Sequence, residues 1–309
     1  MLVSPCASGN FDHVWYNLLK DVNAHLPILI VTRLENFKFN PNLYSLDKYI
    51  LVDGCEYGWS ERFDNGTHLF GINTEKYSQF DNEEWKKFDE FVKSKPPLLT
   101  FKRELLEGDE SETVVPISYP SWHPIPETQT KDSFDKRLIS ANFIWGFSHE
   151  RRRSLHGEIW SRCAEFDYIV CDNIEKLFEF FEHESNPKKW LTVNIPWYAR
   201  LAMETIISIN GMSKISLSLP GAGRHCFRMS ESPMNSVMYK HDDGIKESYP
   251  WVKNVNCLKS ESGKEIETII ESLKSPDLYD IYCAGVENCR NYWLPTYQKK
   301  YIQPLIDKA

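Results

Sequence analysis

Residues 218–232 read "SLPGAGRHCFRMSES". An apolar run, "KISLSLP", ends in two glycines one residue apart, Gly221 and Gly223. Arg224, His225, Arg228, Glu231 and Ser232 follow within nine residues. Glycines without a Cβ let a backbone approach a ligand closely, and guanidinium groups pair with phosphate oxygens through two parallel hydrogen bonds. Where a strand gives way to a helix, the first free N–H groups add a partial positive charge. These parts suit a diphosphate, with a carboxylate such as Glu231 placed to bind two neighbouring ribose hydroxyls. Taken alone, the same letters also describe a glycine turn with two solvated arginines.

A second turn has the same make-up. In "FIWGFSHERRRSLHGEIW", an apolar strand runs through Gly146 and Ser148 into an arginine-rich helix containing Arg153. Three cations in a first helical turn oppose the helix dipole, which calls for a compensating interaction. Two strand-to-helix turns of a doubly wound sheet face one crevice, so Ser148 and Arg153 could hold a second phosphate.

The first half offers acids and bases at comparable positions. Asp12 and His13 enter the first helix, Asp53 and Glu56 follow the strand "KYILV", and His123 lies in "HPIP". A group within reach of an acceptor hydroxyl can take its proton as that hydroxyl attacks. Glu56 and Asp53 rank first and His13 next, although Asp53 beside Gly54 is equally a turn-capping residue.

The elements that must position these groups alternate. Strands are expected at 1–5, 27–34, 48–54 and 114–120, with helices through Phe11, Val14, Trp15, Leu18, Leu19 and Val22 and over 83–94, where Trp85, Phe88 and Val92 point inward. The segment 120–136, with three prolines, reads as a linker or interdomain crossover. Strands at 137–148, 168–172, 214–220, 236–240 and 255–259 then alternate with helices at 149–166, 174–183, 196–210 and 263–275. The terminal stretch from Glu287 reads as helix broken near Pro295. Alternation in both halves predicts an α/β protein of two Rossmann-like domains facing a cleft. The expected boundaries are 1–130 for an acceptor-binding domain, 131–290 for a nucleotide-sugar-binding domain, and 291–309 for a helix packing back on the first.

The second half, over about residues 137–290, resembles the nucleotide-sugar domain of the exostosin-like glycosyltransferases, and more loosely other transferases of the GT-B fold. The family's early arginine, F-x-G and second arginine stand here as "RLISANFIWGFSHERRRSLH". Its later S-K-F-x-L-x-P-G-G, R-x-x-E and I-P-V elements stand as "SKISLSLPGAGRHCFRMSESPMNSVMY". The chain departs from the family's glycine before I-P-V, having Asn235-Ser236-Val237 instead. The resemblance implies a GT-B enzyme that moves a sugar from a UDP- or GDP-sugar to a hydroxyl of a glycan or glycoconjugate. It places Arg224 on the donor diphosphate, Glu231 on the ribose, and Ser148 and Arg153 at the other phosphate-facing turn. No cofactor is implied, because the nucleotide sugar is itself the donor substrate. Inversion by a first-domain base is the leading mechanism and retention stays open.

Composition sets outer limits. The chain has 309 residues, 41% hydrophobic and 26% charged, with a net charge of −8. That balance argues against a broad nucleic-acid surface. No apolar run approaches the ~20 residues of a membrane helix, and the start lacks a signal-peptide pattern. The expectation is a cytoplasmic protein of bacterial or viral type, or a lumenal one separated from an anchor, with peripheral membrane association compatible and oligomeric state open. The eight cysteines stand singly, which favours free thiols over zinc or disulfides. No Asp-x-Asp pair ends a strand, so no metal site is expected, and arginines would carry the leaving group's charge. The rivals are a sulfate- or phosphate-handling α/β transferase and a non-catalytic subunit of the same fold. A sulfotransferase should carry its basic turn after the first strand, and "SPCASGN" has no basic residue.

Overall fold

The computed structural model describes residues 1–4, 13–31, 38–54, 83–144, 150–162, 167–172, 174–183, 189–193, 203–219, 228–241, 244–261 and 263–309. The chain divides into two compact units. Unit 1 comprises Met1–Pro120, Gly244–Ser248 and Leu294–Ala309, and unit 2 comprises Ser121–Asp243 and Tyr249–Trp293.

Unit 1 is built on a five-stranded sheet: β1 (Leu2–Val3), β2 (Ile28–Val31), β3 (Ile50–Asp53), β4 (Leu99–Lys102) and β5 (Val114–Pro116). The strands lie in chain order and every neighbouring pair is parallel. Strands β2 to β4 are buried along their whole length, as expected of a parallel sheet covered on both faces. Helix His13–Leu19 buries Val14, Trp15, Leu18 and Leu19. Helix Glu83–Ser94 turns Phe88, Phe91 and Val92 into a cluster with Leu29, Val31 and Leu51. Each such side chain contributes about 1.5–3 kcal/mol when fully buried. The Trp85 side chain lies outside the described residues. The C-terminal segment completes this unit: the Tyr297 hydroxyl accepts a bond from the Ser118 N–H at 2.9 Å, and Gln298 Nε2 donates to Leu18 O at 2.7 Å.

Unit 2 carries a six-stranded sheet: β6 (Ile139–Ile144), β7 (Asp167–Cys171), β8 (Lys189–Val193), β9 (Ser213–Ser218), β10 (Val237–His241) and β11 (Leu258–Ser260). Its order is β11-β10-β9-β6-β8-β7, parallel throughout. Ala141, Phe143, Ile215 and Leu217 pack on Leu155, Ile159, Ile266 and Ile269, whereas Ile139, Ile144 and Leu191 pack with Ile206 and Ile209. Helices therefore cover both faces.

Several elements differ from the periodicity reading. Strands β4 and β8 are additional; "LTFK" and "KWLTV" are short and carry lysines, which hid them. Helix Leu278–Arg290 begins nine residues before the expected terminal helix and buries Leu278, Ile281, Tyr282, Val286 and Cys289. Gly285 weakens its propensity signal but is required: a Cβ there would sit 2.8 Å from Asn256 O. The expected strand 255–259 is displaced to Leu258–Ser260, because Asn254 adopts φ 58° in the preceding turn.

The proline-rich segment read as a linker is part of unit 2 from Ser121 onward. Thr130 caps helix Lys131–Asp135, whose Phe134 is buried and stacks on Tyr282 at 4.9 Å. The Arg137 guanidinium lies beside this stacked pair, 4.5 Å from the Phe134 and 4.6 Å from the Tyr282 ring centroid, and donates to Ser213 O at 2.6 Å. Burial lowers its pKa to about 10. The arginine that opens the quoted motif is thus an anchor before the amino end of β6.

Candidate functional site

In unit 2 the chain leaves β6 for the sheet edge at β7 and returns to β8 beside β6. It then crosses to β9 on the other side of β6. Strands β6 and β9 are direct neighbours, with Ala141 paired to Ile215 and Asn142 to Ser216. Such a reversal of strand order opens a crevice at the carboxyl ends of the two strands, where ligands of open α/β sheets bind. Both glycine-arginine turns leave from these ends. Gly146 and Ser148 follow β6, and Gly221, Gly223, Arg224 and His225 follow β9; all six lie outside the described residues.

The chain on either side of those turns is described. Arg152, in the first turn of helix Glu150–Ser161, donates from Nη2 to Leu219 O at 2.8 Å, one residue beyond β9. This bond supplies compensation for a cation at a helix start and ties the helix after β6 to the end of β9. Arg153, the residue singled out from sequence, is exposed. After the second turn, helix Arg228–Glu231 leads into a 3-10 turn, Ser232–Met234. The Arg228 side chain lies outside the described residues, and Glu231 is 9% exposed.

The Glu231 turn rests on a buried polar network. Asn210, at the end of helix Met203–Gly211, donates from Nδ2 to Glu231 O at 3.2 Å. Its Oδ1 accepts from Asn142 Nδ2 at 3.1 Å and lies 3.0 Å from Ser216 Oγ. Ser216 Oγ is also 3.0 Å from Asn142 Oδ1 and 3.3 Å from Ser232 Oγ. Ser236 Oγ donates to Ser232 O at 2.6 Å, and the Cys289 thiol reaches Ser230 O at 3.5 Å. Asn142, Asn210, Ser216 and Ser232 are all within 2% of full burial. Ser232 thus engages the protein interior and supports the turn from below. The network was detectable in principle: "ISANFI" and "SKISLS" set polar residues inside buried strands, and such groups need partners.

In unit 1, Asp53 ends β3 opposite Lys102 of β4. Both side chains have no exposed surface, and Lys102 Nζ lies 3.5 Å from Asp53 Oδ1. Arg103 donates its N–H to Asp53 O at 2.9 Å, and its guanidinium bonds the Tyr119 hydroxyl and lies 5.1 Å from that ring's centroid. Tyr119 in turn stacks on Trp15 at 5.2 Å. Asp53 therefore belongs to a buried ion pair at the carboxyl edge of the sheet. Asp12, Glu56 and the His13 side chain lie outside the described residues, and His123 is half-buried in the chain entering unit 2.

Comparison with known proteins is informative at the level of fold. No family model and no curated protein matches the chain. A variant of S. aureus TarM, solved with fondaparinux, alpha-GlcNAc-glycerol and UDP, superposes with a TM-score of 0.50 at 14% identity, over 94% of this chain and 58% of that one. HepE from Anabaena, solved with UDP and glucose, also gives 0.50 at 9% identity, over 98% of both chains. The fold is of the GT-B kind. This chain spans less than two thirds of TarM's length and nearly all of HepE's. Among the described residues of this GT-B fold, no group of three or more His, Cys, Asp or Glu could hold a metal ion, and no helix is long and apolar enough to cross a membrane. Cys171, Cys257, Cys283 and Cys289 are free thiols.

Proposed function

We propose that the chain is a glycosyltransferase that moves a sugar from a UDP- or GDP-sugar to a hydroxyl of a glycan or glycoconjugate. The observation that carries this reading is the origin of both glycine-arginine turns at neighbouring strands, β6 and β9, where the order of a parallel sheet reverses. Support comes from the GT-B fold shared with chains solved with UDP and a sugar. The narrower exostosin-like relationship rests on motif order alone.

In this reading Gly221, Gly223, Arg224, His225 and Arg228 receive the diphosphate, with Gly146, Ser148 and Arg153 on its other side, and Glu231 binds the ribose above its buried support. The acceptor hydroxyl attacks the anomeric carbon and loses its proton to a base of unit 1. The bond from that carbon to the diphosphate oxygen breaks, and the nucleoside diphosphate leaves with the electron pair. This single displacement inverts the anomeric carbon, and arginines stabilise the developing charge in place of a metal. Asp53 is held by Lys102, which makes Glu56 and His13, then Asp12, the stronger choices for the base.

A panel of nucleotide sugars tests the proposal through thermal stabilisation and slow donor hydrolysis. UDP or GDP should stabilise the protein, and Arg224→Ala should abolish the shift. Hydrolysis should persist in EDTA; loss restored by manganese would refute metal independence. Binding without hydrolysis or transfer to any acceptor would identify a non-catalytic subunit, and no shift with any nucleotide would refute the donor site.

A further inference from the structure

A second constellation stands at the carboxyl edge of unit 2. His241 ends β10, which pairs with β9 through Lys240 and Ser218. Its Nε2 lies 2.6 Å from Oε1 of Glu265, the first residue of helix Glu265–Leu273. Glu265 Oε2 accepts the Gly263 N–H at 2.8 Å. Gly263 has φ +91°, a conformation that L side chains rarely adopt, so the turn delivering this N–H favours glycine. The Glu265 side chain has no exposed surface, and the His241 side chain retains 12%.

These contacts define the imidazole. Both oxygens of Glu265 are hydrogen-bonded, Oε1 to the ring of His241 and Oε2 to the Gly263 N–H. Where Glu265 accepts from Nε2, an imidazole carrying one ring proton keeps a lone pair on Nδ1. Among the described residues no hydrogen bond reaches Nδ1. The Tyr239 hydroxyl of β10 and Ser260 Oγ at the end of β11 meet at 2.5 Å, and the Tyr239 ring packs edge-on to the imidazole at 6.4 Å. The edge therefore carries an oriented, partly exposed imidazole one strand away from β9.

We propose that His241 accepts a hydrogen bond through Nδ1 from a hydroxyl of the bound nucleotide sugar, and that Glu265 is the positioning residue that selects this tautomer. The inference rests on the nucleotide-sugar reading of unit 2. Ribose and the transferred sugar offer the same hydroxyl chemistry, and paired ligands distinguish them.

The test is calorimetric titration at pH 8 with UDP, GDP and their glucose conjugates. It uses the full chain, His241→Gln, whose amide can still donate to Glu265, and Glu265→Ala. Cooperative melting transitions above the titration temperature establish that the variants fold. His241→Gln should weaken binding on the order of tenfold, the effect of one lost hydrogen bond to a ligand. Equal weakening for the nucleotide and its glucose conjugate places the hydroxyl on the ribose; weakening confined to the conjugate places it on the sugar. Histidine nitrogen NMR should show His241 protonated on Nε2, with Nδ1 shifting on ligand addition, and should show mixed tautomers in Glu265→Ala. A purely structural pair would leave Nδ1 unmoved by ligand. Unaltered affinity of His241→Gln, with the wild type binding normally, overturns this inference and leaves the donor site standing. A wild type that binds none of the four ligands overturns the donor reading and this inference together.

Discussion

Asn210→Ala is the sharpest test of how the candidate donor site is held. The substitution removes the acceptor of Asn142 Nδ2 and the donor to Glu231 O, both inside the protein. Ser216 can turn its hydroxyl wholly to Asn142 Oδ1, which lies at the same 3.0 Å distance as the lost atom. Asn142 Nδ2 and Glu231 O each then lose this partner. At about 1–3 kcal/mol for each buried group that loses its partner, the expected loss is roughly 2–6 kcal/mol. A domain of unit 2's size shifts by about 2–4 °C per kcal/mol, so its unfolding transition should fall by roughly 4–24 °C. Calorimetry or thermal circular dichroism reads that shift. Ser208→Ala is the control: Ser208 is exposed on the same helix and bonds Glu204 O at 2.8 Å, so its loss should stay within about 0.5 kcal/mol. Nucleotide affinity should fall in Asn210→Ala even far below the melting temperature, because the Glu231 turn loses its anchor. A transition within ~2 °C of wild type, or an equal effect in Ser208→Ala, would refute the network as the support of that turn.

Other expectations are quickly checked. Gly285→Ala should destabilise by about 1–3 kcal/mol, the usual cost of overpacking, since the new methyl meets Asn256 O at 2.8 Å; urea denaturation measures it. His156, packed against Trp160 at 6.4 Å, has its pKa lowered by burial. The unfolded chain therefore binds the extra proton more readily, so stability is full above the unfolded pKa near 6.5 and declines as pH falls through the lower folded value. His156→Gln should flatten the stability profile between about pH 7 and 5.

The sequence displayed the architecture where pattern and burial agree. Runs such as "PILIV" and "KYILV" are apolar throughout because parallel strands lie between helices, and both form strands. Pattern failed where tertiary pairing overrides local character. Lys102 is sealed inside β4 because Asp53 lies opposite it, and one strand's letters cannot announce a partner some fifty positions away. Phe134 looked like part of a polar linker because its stacking partner, Tyr282, arrives much later in the chain. The site divides in the same way. Glycines and arginines advertise themselves at a turn, whereas Asn142, Asn210 and Ser216 are ordinary polar residues until three elements bring them together. Likewise Arg152 and Arg153 are indistinguishable as letters. The carbonyl of Leu219 is what separates the half-buried cation from the exposed one.

The way unit 1 is closed has a consequence for biosynthesis. Tyr297, Ile302 and Ile306 are fully buried, and Gln303 Nε2 donates to Asn23 O at 2.7 Å. These residues are synthesised after every residue of unit 2. The ribosome thus delivers five strands of unit 1 early and the pieces that cover them last. During translation unit 2 can finish while its predecessor is still waiting, with the Leu18 carbonyl and the Ser118 amide awaiting Gln298 and Tyr297. The half of the protein that begins first is the half that must be kept from aggregating longest.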